Sequence, residues 1–100
     1  MKSRDFSAQF NNSEIVVIFH NIRSIMNVGA ILRTMECFGI KRAFATGWTP
    51  SLDQGLPHVR EKIAKELNKT ALGAEKNVEF KYHDDIMKLI ENLKNEGFKL

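Results

Sequence analysis

Asn21, Arg23, Ser24, Asn27 and Arg33 are gathered in one stretch of this 100-residue chain, Asn21-Ile-Arg-Ser-Ile-Met-Asn-Val-Gly-Ala-Ile-Leu-Arg-Thr34. Amide and hydroxyl side chains both donate and accept hydrogen bonds, and a guanidinium presents a planar fork of N–H donors that fits a phosphate. If the segment leaves a strand and enters a helix, the unpaired N–H groups and partial positive charge of the helix start add to that donor set. The chemistry on offer is recognition of an anion or a ribose-phosphate. A purely structural reading uses the same residues, with Asn27 as the helix N-cap and Asn21 and Ser24 as turn formers. Composition and spacing leave both open.

Arg33 is placed by helical geometry. Val28, Ile31, Leu32, Met35 and Phe38 recur at helical spacing and form an apolar arc expected to face a sheet. Arg33 points away from that arc, among Gly29, Ala30, Thr34 and Cys37, all small. Small neighbours let another surface come close, which fits an Arg in a polar niche at a subunit contact. The alternative is an ordinary surface Arg, and periodicity does not separate the two.

The elements that must position these residues follow from the pattern. Ile15-Val-Val-Ile-Phe19 is an unbroken, β-branched apolar run, as in a parallel strand covered on both faces. A second short strand, Ala43–Thr46, ends at Gly47, and a third, Val78–Tyr82, alternates like a half-buried strand nearer an edge. Between the first two lies the helix begun by Asn27 and closed by Gly39. Val59, Ile63 and Leu67 mark a second helix; Ile86, Leu89, Ile90 and Leu93 mark a third, capped by Asp84 or Asp85 and ended at Gly97. Alternating strands and helices predict an α/β fold, a parallel sheet of βαβ units with helices on both faces. In such sheets ligands bind at the C-terminal strand ends, where Asn21 to Arg33 begin. Residues 47–57 form the longest loop, in which Trp48 either stacks on a base or anchors its own loop. Phe98-Lys-Leu100 reads as the opening of a fourth strand.

Composition bounds the function. The 43% hydrophobic and 27% charged fractions are those of a soluble globular domain. Residues 1–50 carry six basic and three acidic side chains, residues 51–100 nine of each, so the net charge of +3 sits in the first half and permits an anionic partner. One cysteine, Cys37, excludes an internal disulfide and fits a reducing, cytoplasmic setting. His20, His58 and His83 lack ligand spacing, so no metal is expected. No apolar run approaches the roughly 18–20 residues of a membrane span, and neither a GxGxxG nor a GxxxxGK[ST] phosphate motif occurs. Residues 1–13 read as a polar N-terminal arm and residues 14–100 as the domain.

At its chemistry-bearing stretch the chain resembles the SpoU/TrmH family of RNA ribose 2′-O-methyltransferases, in the SPOUT superfamily. Asn27 and Arg33 fall on the Asn and Arg of the family's first motif, in its NVGAxxRT context. Thr46-Gly-Trp-Thr-Pro50 is similar to a TGYTP segment of many members, with Trp48 in place of Tyr, and Lys69-Thr-Ala-Leu-Gly-Ala-Glu75 to a KTALGAE segment. The resemblance covers about residues 15–78. It implies the N-terminal part of an α/β-knot methyltransferase domain of roughly 150 residues, truncated here. The family's NExxG-like and SLNVSVA-like motifs, which form the knot that binds S-adenosylmethionine, would lie beyond Leu100, so this chain alone is expected to be inactive.

The resemblance also implies a homodimer with its active site at the interface, acting on tRNA or rRNA. A ribose 2′-hydroxyl is a poor nucleophile, so its developing alkoxide must be stabilised as it attacks a sulfonium methyl. Arg33 would stabilise that charge, Asn27 would orient Arg33 or the ribose, and Arg23, Asn21 and Ser24 would face the RNA backbone. The alternatives are a non-catalytic RNA-binding or dimerisation module lacking the knot, and an unrelated small-molecule binder of doubly wound fold.

Overall fold

A computed structural model describes residues 15–100. The expected polar arm, 1–13, lies outside the described residues. Three strands, β1 (Val16–His20), β2 (Arg42–Thr46) and β3 (Glu79–Tyr82), form a parallel sheet in the order β1-β2-β3. Helices α1 (Ile25–Cys37), α2 (Pro57–Ala71) and α3 (Ile86–Asn95) follow the strands in turn, with a short 3-10 turn at Ala74–Lys76 before β3. The fold is the α/β arrangement expected.

Register explains why the strand sequences differ. Val17, Ala43 and Phe80 lie side by side on one face, as do Phe19, Ala45 and Tyr82, and these residues pack with Val28, Leu32 and Met35 of α1 and Leu67 and Ala71 of α2. Small Ala43 and Ala45 on the central strand leave room for α1, while the Phe19 and Phe80 rings meet at 5.1 Å. The other face carries Val16, Arg42 and Glu79, then Ile18, Phe44 and Lys81. α3 lies on that side: Arg42 pairs with Glu96 at 3.5 Å, and Val16 and Ile18 line a cavity of about 190 Å³ with Ile90, Leu93 and Phe98. Helices therefore cover both faces. The unbroken apolar run of β1 has an apolar partner on each, although β1 is at an edge and only Phe19 of the strand is buried. β3 forms the other edge and alternates in burial, as predicted. Residues 98–100 pair with no strand.

Two expectations about α1 need correction. The helix starts at Ile25, a turn earlier than expected, and Ser24 rather than Asn27 is its N-cap, the Ser24 Oγ accepting from the Asn27 N–H at 3.2 Å. A serine hydroxyl is as good a cap as an asparagine amide, and Ser24 comes first. The buried stripe is also rotated from the predicted arc. Val28, Gly29, Leu32 and Met35 are buried, whereas Ile31 and Phe38 are exposed. The cause is α2, which packs beside α1 and draws Gly29 inward: a Cβ there would lie 1.8 Å from Thr70 Oγ1. Gly29 therefore belongs to a helix–helix contact, and not to the open face around Arg33.

The remaining caps follow simple chemistry. Pro57 opens α2, Leu72 closes it in the left-handed region, and Asp85 caps α3 through the Lys88 N–H, with Gly97 at φ 102° after its end. None of the described helices is long and apolar enough to cross a membrane.

Candidate functional site

The C-terminal ends of β1 and β2 are tied together by a network that starts from Asn21. Its φ of 58° is left-handed, a conformation asparagine tolerates better than most residues, and it turns the chain from β1 toward α1. The Asn21 N–H donates to the Thr46 carbonyl at 3.2 Å, and its Oδ1 accepts from the Trp48 N–H at 2.9 Å. That bond fixes the amide, so Nδ2 donates to His20 Nε2 at 3.2 Å. His20 then holds its proton on Nδ1 and donates to Thr46 Oγ1 at 2.9 Å, which in turn donates to the Phe19 carbonyl. Thr49 also bonds to the Phe19 carbonyl, at 2.8 Å, and accepts from the Ile22 N–H at 3.1 Å.

Gly47 completes the junction. Its φ is 62°, and a Cβ there would fall 2.0 Å from Asn21 Oδ1. Its carbonyl accepts from the Tyr82 hydroxyl at 3.0 Å, which links β3 to the same edge, while Asp53 accepts from the Tyr82 N–H. On this frame stand the exposed donors. Arg23 lies with its guanidinium 5.4 Å from the centre of the Trp48 ring. Ser24 and Asn27 follow at the start of α1, whose first turn holds no acidic residue. The edge suits an anion, by side-chain charge and by the helix start together.

Arg33 stands apart. It is six residues beyond Asn27 on α1, about 9 Å along the axis and about 120° around it, and is exposed with no ion pair to a described residue. The structure therefore brings Asn21, Arg23, Ser24 and Asn27 to one edge and leaves Arg33 on the open face of α1. Beside Arg33 on the helix surface stand Met26, Ala30 and Cys37, while Ile31 and Phe38 lie about 140–160° around it, on the Asn27 side; Met26 and Phe38 are 67% and 72% exposed. His20, Thr46, Thr49 and Tyr82 belong to the site's frame and were not singled out by the sequence reading. For Thr46 and Thr49 the signal was the Thr46–Pro50 segment; His20 and Tyr82 carried none.

The sequence profile of the SpoU rRNA Methylase family matches residues 14–100. The chain belongs to that family. Membership puts it among RNA methyltransferases, and the match runs through β3 and α3, beyond the stretch in which the motifs were legible. No curated protein and no solved structure gives a match. In this SpoU member the Lys69–Glu75 segment has a packing role: Thr70 meets Gly29, Ala71 and Ala74 are buried, and Leu72 and Gly73 turn the chain with positive φ.

Three cavities among the described residues are lined by Val16, Ile18, Ile90 and Leu93, or by the surfaces of α2 and α3, away from the edge held by Asn21 and Thr46. No group of three or more His, Cys, Asp or Glu among the described residues is arranged to hold a metal ion.

Proposed function

We propose that this protein takes part in methylation of a ribose 2′-oxygen in tRNA or rRNA, with S-adenosylmethionine as donor. The observation that carries the reading is the family match across residues 14–100, which includes Asn27 and Arg33 in the helix that leaves the C-terminal strand edge. Arg23, Asn21 and Ser24 hold the RNA backbone at that edge, and Asn27 orients the ribose. Arg33 stabilises the alkoxide that develops on the 2′-oxygen. A guanidinium stays protonated at neutral pH, so it acts by charge and geometry rather than by taking the proton.

Separation of Arg33 from the edge supports a composite site in a homodimer. The exposed surface of α1 carries Met26 beside Arg33, and Ile31 and Phe38 on the Asn27 side, apolar residues suited to contact with a second copy of the chain. A free, exposed Cys37 on the same helix is compatible with action in the cytoplasm. The competing reading is a non-catalytic RNA-binding or dimerisation module, in which the strand edge holds RNA without methyl transfer.

One assay separates them. The complete protein, incubated with isotope-labelled S-adenosylmethionine and bulk tRNA or rRNA, transfers label to RNA, and Arg33→Ala lowers the rate about 10²–10³-fold. RNA binding without label transfer would replace the enzyme reading with the binding module.

A further inference from the structure

We propose that the exposed Trp48 indole, with the Arg23 guanidinium over it, is a stacking platform for one nucleobase of the bound RNA. This rests on the RNA-directed reading above and adds a residue to it. A tryptophan that merely anchors its loop buries its ring, because an indole in water forfeits a large apolar contact. Trp48 remains 70% exposed.

Its backbone is nonetheless fixed. The Trp48 N–H donates to Asn21 Oδ1 at 2.9 Å, the preceding carbonyl accepts from Tyr82, and the following Thr49 is buried with its hydroxyl on the Phe19 carbonyl. The loop thus holds the ring outward from a rigid strand edge, which lowers the ordering cost of binding a planar group. Arg23, 5.4 Å from the ring centre, supplies a cation beside the aromatic face. Base stacking with a neighbouring phosphate contact uses this pairing. An apolar protein partner would cover the Arg23 charge without an anion to meet it, whereas RNA brings a phosphate with every base. Stacking accepts any base, so the platform contributes affinity and placement rather than sequence choice.

Trp48 is the chain's one tryptophan, so its fluorescence reports this site alone. The protein is titrated with a short single-stranded oligoadenylate and with an abasic ribose-phosphate oligomer of equal length, binding being followed independently by anisotropy of an end label. The oligoadenylate should quench Trp48 emission and the abasic oligomer should not. Trp48→Ala should weaken oligoadenylate binding about 5- to 150-fold, and Trp48→Phe should keep most of it. If RNA binds but both oligomers act alike on the emission, or Trp48→Ala binds as tightly as the wild type, the platform is overturned and the RNA reading survives. If neither oligomer binds, both fall together.

Discussion

Arg23 is the residue on which the electrostatic part of this account turns, because it is the exposed cation at the strand edge and also the group stacked on Trp48. Arg23→Ala should weaken RNA binding and reduce the salt slope of log K by about one, the signature of one lost phosphate contact. An unchanged slope would remove Arg23 from the backbone contacts. Arg33 makes a different prediction. Arg33→Lys keeps the charge but loses the planar fork, so methyl transfer should fall well below wild type, while turnover at the wild-type rate would sink its geometric role. Much of this was legible from residue types. The Asn27–Arg33 spacing and the cluster Asn21, Arg23, Ser24 could be read directly, and all but Arg33 come together at one edge. The network through His20, Thr46 and Thr49 could not, because it joins residues 26 to 30 positions apart that only the β1–β2 register makes neighbours. Asn27 was misread as the cap for a local reason: two residues able to cap stand one turn apart, and Ser24 is taken first.

At the level of elements, the close approach of α1 and α2 sets the position of the site helix. Gly29→Ala would put a Cβ 1.8 Å from Thr70 Oγ1, 2.7 Å from Thr70 Cβ and 3.0 Å from the Ala71 nitrogen, and the last two have no rotamer to change. We expect a loss of about 1–3 kcal/mol in stability, measured by urea unfolding. Pairing it with Thr70→Ala should recover part of the loss if the side-chain clash is the larger cause, and additive effects would contradict that packing. The succession of strands and helices along the chain was readable because apolar periodicity is a local property. Which way α1 is rolled was not. The arc Val28, Ile31, Leu32, Met35, Phe38 assumes that the sheet is the only surface to cover, whereas α2 covers the Gly29 side and leaves Ile31 and Phe38 in water. The 3-10 turn at Ala74–Lys76 went unread because three residues carry no periodic signal.

For the whole molecule, the separation of Arg33 from the strand edge makes assembly part of the proposed function. Phe38, 72% exposed at the end of α1, contributes nothing to the core of its own chain. Phe38→Lys should therefore leave unfolding stability nearly unchanged while dissociating the proposed homodimer in sedimentation velocity. A wild-type chain that sediments as a monomer at all accessible concentrations would contradict the composite site. The central proposal is that the methyl group is carried to a ribose oxygen. Alkaline hydrolysis of the labelled RNA product tests it most directly, because a 2′-O-methyl group blocks cleavage at its own phosphodiester. The account predicts label in alkali-resistant dinucleotides, and label recovered only in mononucleotides would contradict it.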